Sequence, residues 1–229
     1  MKSRPFPKHD CRHGSHAKHA ATPSPAAAPL SPLRGDATAV EICQRYKLQL
    51  SYEARSLLTP TLAPMIYIER LLAKELDAAA RKFLAAALPL RRSLWWSVLA
   101  IHDALGDDPD GEAFHLAPVV QWIARPSEEG LLAIRRIDKQ VKRISLWGCL
   151  YQAAYSAGGR ATSPDQPIAV APPEMPRRII AAIISMAASY REPRGYYERQ
   201  RRYLLLGKSL VQGPAPWTCR NASPAQETR

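Results

Sequence analysis

The residues whose types and spacing could do chemistry are few, and the densest group stands near the amino terminus. His9, Cys11, His13, His16 and His19 lie two or three positions apart in a stretch with almost no aliphatic side chains. Such donors can capture zinc, copper or nickel, but a structural zinc site needs its ligands held tetrahedrally by a fold around them. A solvated basic tail without a resident metal is the expectation. His102 and Asp103 are adjacent on a helix, and adjacent helical residues do not face each other, so they make no acid/base pair. Asp107, Asp108, Asp110 and Glu112 lack the twelve-residue spacing of an EF-hand and read as a solvated turn. There is no Gly-rich phosphate loop, GxSxG elbow or HExxH helix, and no close Cys–His pairing in the part expected to be ordered. No catalytic, cofactor-binding or metal-ligating residues are therefore assigned, and a non-enzymatic protein is expected.

Charge supplies the one surface feature with a candidate role. The chain of 229 residues carries a formal +12, divided as +4 over residues 1–40, +3 over 41–160 and +5 over 161–229. Within the balanced middle, Arg135, Lys139 and Lys142, flanked by Arg136 and Arg143, fall on neighbouring stripes of one expected helix. Five cations so placed could track phosphates or an acidic protein partner, or could be a solvated face. Basic residues alternate with tyrosines between Tyr196 and Tyr203, where helical spacing explains the tyrosines as packing residues more simply than base stacking does.

The elements that must position these residues are helices. Hydrophobic content of 46%, with 11 glycines and 21 prolines set at the ends and between apolar runs, favours proline-punctuated helices over a sheet. Asp36 or Thr38 caps a helix through residues 40–55, with Ile42, Cys43, Tyr46 and Leu50 inward. Residues 65–88 allow one long helix or two short ones broken near Lys74–Glu75, with two favoured, and Thr59, Thr61, Pro60 and Pro64 mark the start and Pro89 the stop. A helix over 91–105 ends at Gly106 and carries Trp95 and Trp96. Neighbouring helical positions point about 100° apart, so this helix must be covered on more than one side. The next spans 112–124, burying Phe114, Val119 or Val120, and Trp122. Ser127 then caps the longest helix, which runs through Trp147 to Tyr151. A loop at 158–173 precedes an apolar central helix over 176–190 and a last helix from Tyr196. Trp95, Trp96, Trp122 and Trp147 are the expected organisers of the core.

The whole reads as all-α: a single domain of about six to eight packed helices over residues 39–213, flanked by disordered tails at 1–38 and 214–229. The four cysteines, Cys11, Cys43, Cys149 and Cys219, form no CxxC pair and suit a reduced, cytoplasmic compartment. No run of about 18 apolar residues suggests a membrane span, and no apolar segment follows the basic N-terminus as an export signal would require.

ALPLRRSLWWSVLA, VVQWIARPSEE, APPEMPRRIIAAIISMAA and YLLLGKSLVQGPAPW, taken in succession, resemble an uncharacterised all-helical bacterial domain family associated with type VI secretion gene clusters. The resemblance covers about residues 41–217. Its motifs are the proline before the tryptophan pair, the tryptophan ahead of a Pro-Ser-acidic helix start, and Gly207, Gly213 and Trp217 at fixed spacing. It carries over no catalytic residue and implies a cytoplasmic accessory protein or adaptor, acting through a protein partner such as a secretion component or effector. The alternative is a basic helical protein that binds nucleic acid non-specifically. No helix-turn-helix, zinc-finger or RNA-binding signature favours that alternative.

Overall fold

Thr38 begins the fold with a capping box. Its hydroxyl accepts from the Glu41 amide while the Glu41 carboxylate accepts from the Thr38 amide at 2.9 Å, over α1 (Ala39–Arg45). The computed structural model describes residues 37–107, 111–141, 145–159 and 170–212. Its further helices are α2 (Tyr52–Ser56), α3 (Pro64–Ala73), α4 (Asp77–Ala87), α5 (Leu90–Leu105), α6 (Ala117–Ala124), α7 (Glu128–Asp138), α8 (Leu146–Ala157), α9 (Glu174–Ser189) and α10 (Tyr196–Gln212). A 3₁₀ turn over Glu112–Leu116 leads into α6. Among the described residues there is no strand, and the chain is all-α.

Among the described residues ten α-helices stand where six to eight were expected, because two expected helices are each divided. The first stops at Arg45, since Lys47 takes a left-handed conformation (φ 48°), and Ser51 caps α2 afresh. The expected longest helix ends at Asp138, and Ser145 caps α8 by accepting from the Gly148 amide at 3.0 Å. The division of α3 from α4 does fall at Glu75, again at positive φ (55°). Lys47, Glu75 and Arg191 thus turn the chain after helices at a position usually given to glycine, a conformation that costs an L-residue about 1–2 kcal/mol. Thr59 and Thr61 cap nothing; Ala63 precedes α3, and Pro64 occupies its first turn.

α9 and α5 form the centre. α9 packs on α8, α5, α4 and α10, and α5 touches α4, α6, α8, α9, α10 and the 3₁₀ turn. Trp96 is fully buried, Trp122 and Trp147 are buried, and Trp95 is half-buried against the core. Trp96 donates its indole N–H to the Tyr203 carbonyl at 2.8 Å, and its ring lies so close to Gly207 that a Cβ there would sit 2.7 Å from Trp96 Cε2. The Ala-rich α4 buries Ala79, Ala80, Ala85, Ala86 and Ala87, small side chains that bring its neighbours close. Phe114, expected inside, is 67% exposed. The 3₁₀ turn replaces the first turn of the expected helix and so rotates Phe114 out of the apolar stripe.

Arginines close the helix ends. The last carbonyls of a helix have no intrahelical donor, and here guanidinium groups from elsewhere in the chain reach them. Arg177 donates to the Ala85, Ala86 and Leu88 carbonyls at the end of α4, at 2.7, 2.7 and 2.8 Å. Arg91 serves Ile123 and Ala124 at the end of α6, Arg92 serves Leu210 and Val211 in α10, and Arg201 serves Leu72 in α3. Arg199 bonds the Ala188 carbonyl of α9, and Arg70 bonds the Leu57 carbonyl after α2. Each places a cation at the negative end of a helix dipole.

Candidate functional site

The expected basic stripe is not assembled as one helical face. Because α7 ends at Asp138, Lys139 lies at its end rather than in mid-helix, and Lys142 and Arg143 lie outside the described residues. Arg135 is drawn into an ion pair with Asp138 and lies over the Tyr155 ring at 5.3 Å, so it is half-buried rather than offered to solvent. Arg136 is exposed. The His/Cys tract from His9 to His19, with Cys11, and the far tail with Cys219 also lie outside the described residues.

Of the remaining residues singled out for chemistry, Asp108 and Asp110 lie outside the described residues. His102 is exposed, while Asp103 accepts from Arg202 and from the Tyr203 hydroxyl at 2.9 Å, tying α5 to α10. Glu112, expected in a solvated turn, is a junction. Its carboxylate accepts from the Tyr190 hydroxyl at 2.7 Å, from Arg191 at 2.8 Å and from the Trp147 indole at 3.4 Å. The Tyr190 bond, aided by Trp147 and Arg191, holds this carboxyl below the ordinary range against the opposing effect of burial. His115 stacks on Trp147 with ring centroids 4.9 Å apart and meets the Tyr151 hydroxyl at 2.9 Å; burial lowers its pKa. Burial pushes the Cys43 thiol up to about 11, which leaves it a poor nucleophile at neutral pH.

What the tertiary structure does bring together is a second set of cations. A cavity of about 270 Å³ lies between the link from α1 to α2, the middle of α4 and the first half of α9. Lys47, Leu48 and Gln49 line it from the link, Arg81 and Lys82 from α4, and Arg177, Arg178, Ala181 and Ala182 from α9. Five of its nine lining residues are cations and none is acidic.

Each cation is held differently. Arg177 is buried over the Tyr46 ring at 4.1 Å, bonds the Tyr46 hydroxyl, and spends its other donor on the end of α4. Burial lowers its pKa. Arg81 bonds Gln200 at 2.6 Å and the Tyr196 hydroxyl at 3.3 Å, with its buried Nε left without a partner. Lys82 gives one of its three N–H donors to the Gln49 carbonyl at 2.9 Å. Lys47 pairs with Glu174 at 3.0 Å, a contact that holds the Glu174 carboxyl below its usual range. Arg178 is exposed.

The site was not legible in the sequence because its residues come from three separate segments between Lys47 and Ala182. The available signal was a pair of adjacent cations, Arg81–Lys82 and Arg177–Arg178, in each of two otherwise apolar helices, where a charge needs a partner or a wet cavity.

Fold and site together define a helical domain whose arginines cap its own helices and which holds a basic cavity. The chain belongs to a family of unknown function, DUF6931, whose model matches residues 67–211. No curated protein and no solved structure matches it. The matched segment includes α4 and α9, hence four of the five cavity cations, whereas Lys47 precedes it.

Proposed function

We propose that this protein is a non-enzymatic helical adaptor or accessory protein that acts by binding another protein, in the cytoplasm, as part of a bacterial type VI secretion system. The observation that carries the binding role over the nucleic-acid alternative is the use made of arginine. Arg70, Arg91, Arg92, Arg177, Arg199 and Arg201 point their donors at backbone carbonyls of the same chain. These six of the 32 Lys and Arg side chains are thereby engaged in joining helices. The secretion context has its support in the resemblance of the tryptophan, proline and glycine motifs alone.

The test is an affinity capture from native lysate with the tagged full chain, after nuclease treatment and at two salt concentrations, with retained proteins identified by mass spectrometry. Recovery of a secretion component or effector at both salts is the expected result. Recovery of nucleic-acid-associated proteins alone, lost at higher salt or on nuclease treatment, would overturn the reading, because phosphate contacts weaken steeply with salt.

A further inference from the structure

We propose that the basic cavity between α4, α9 and the link from α1 to α2 is a binding site for a small phosphate monoester. This goes beyond the adaptor reading and does not depend on it. The lining carries five positive charges, and Glu174, next to the cavity, pairs with Lys47 and interacts electrostatically with Arg178, so the cations still outnumber the one carboxylate beside them. A residual excess of cations around a concave site attracts a multiply charged anion. A carboxylate brings one negative charge, whereas a phosphate monoester brings roughly 1.5 to 2 at neutral pH together with three strong acceptor oxygens.

The geometry of the donors also suits a phosphoryl group. Arg177 is buried, with Nη1 on three carbonyls and Nη2 on the Tyr46 hydroxyl, so it contributes chiefly field. Lys82 keeps two N–H donors beyond its bond to Gln49. Lys82 and Arg178 stand exposed on two different helices. Donors on separate walls suit tetrahedrally arranged oxygens better than the planar edge of a carboxylate, which favours a single guanidinium fork. Leu48, Ala181 and Ala182 supply an apolar patch, and 270 Å³ leaves room beside a phosphoryl group for a small organic part.

The test is calorimetric titration of the full-length protein with phenyl phosphate, inorganic phosphate and benzoate at matched ionic strength. Phenyl phosphate is expected to bind at least about tenfold more tightly than benzoate, the equivalent of one additional charge-assisted hydrogen bond. Inorganic phosphate should compete with it. Lys82→Ala and Arg178→Ala, both at exposed positions and checked for an unchanged thermal midpoint in chloride, should each weaken phenyl phosphate about tenfold. Equal affinity for benzoate, no binding of phenyl phosphate, or undiminished binding by both variants would overturn the proposal. Binding of a phosphoserine peptide without binding of phenyl phosphate would likewise overturn it, by assigning the site to a phosphorylated partner.

Discussion

At the scale of single residues, close approach outweighs intrinsic propensity. Gly207 lies inside α10, where replacing glycine by alanine ordinarily stabilises a helix by about 0.5–1 kcal/mol. Here a Cβ would meet the Trp96 ring at 2.7 Å, and that ring is pinned by its bond to the Tyr203 carbonyl. Overpacking a core costs about 1–3 kcal/mol, so Gly207→Ala should give a net loss of about 1–2 kcal/mol, read as a lower urea midpoint with unchanged slope. Stabilisation instead would mean that Trp96 shifts at little cost. Gly158 shows the same effect between α7 and α8, where a Cβ would lie 2.2 Å from Leu131 Cδ1. The sequence presented Gly207 as part of a spacing motif; which ring it admits is a tertiary fact.

At the scale of elements, the helix ends decide the architecture. Glycine is scarce, and left-handed Lys47, Glu75 and Arg191 close turns that glycine would otherwise close, so guanidinium groups supply the donors that helix carbonyls lack. Arg177 is the clearest case, because it is buried and serves three carbonyls at the end of α4. Arg177→Met keeps the apolar stem but leaves those carbonyls without donors in a buried place, each such loss costing about 1–3 kcal/mol before relaxation. A loss of about 3 kcal/mol in urea unfolding is expected after partial relaxation. Arg177→Lys should recover part of it, since an ammonium cannot reproduce the planar fork. Equal stability of Arg177→Met and the native protein would show that the α4 carbonyls find water or other donors. Two caps, Thr38 and Ser127, stand where they were expected, because an N-cap is local in sequence, whereas Ser51 and Ser145 cap helices the pattern had not separated and Thr59 and Thr61 cap none. The arginine caps were not legible in advance, because donor and acceptor are 89 to 92 positions apart for Arg177 alone.

At the scale of the whole molecule, stability should respond to acid through the junction at Glu112. Glu112 from the 3₁₀ turn ties Trp147 of α8 to Tyr190 and Arg191 just beyond α9, and His115 packs beside it on Trp147. Both groups have pKa values lowered in the fold, His115 by burial and Glu112 by the hydrogen bond from Tyr190. The unfolded chain therefore binds more protons than the folded one in the windows between their folded and unfolded values. Their contributions are present above the unfolded pKa values and are lost as pH falls. The thermal midpoint should decline first below about pH 6.5 as His115 is forced to charge, and again below about pH 4.5 as Glu112 protonates. Glu112→Gln should remove the second decline while leaving the first, and persistence of both in that variant would assign the acid limb to other carboxylates.

Sequence alone determined the helical class, the proline stops, the local caps and the tryptophans as core, because each follows from the period of the chain or from contacts within a few residues. Trp96, Trp122 and Trp147 are buried, whereas Trp95, also expected in the core, is only half-buried against it. Periodicity could not foresee where a helix stops without glycine or proline, so the ends of α1 at Lys47 and of α7 at Asp138 went unmarked. Only the tertiary structure decided the use of charge. It drew Arg135 down onto Tyr155 and Asp138, turned other arginines onto helix ends, and gathered Lys47, Arg81, Lys82, Arg177 and Arg178 around one cavity. A charged side chain is long and non-periodic in its partners, so its role is set by which helices pack beside it rather than by the residues next to it in the chain.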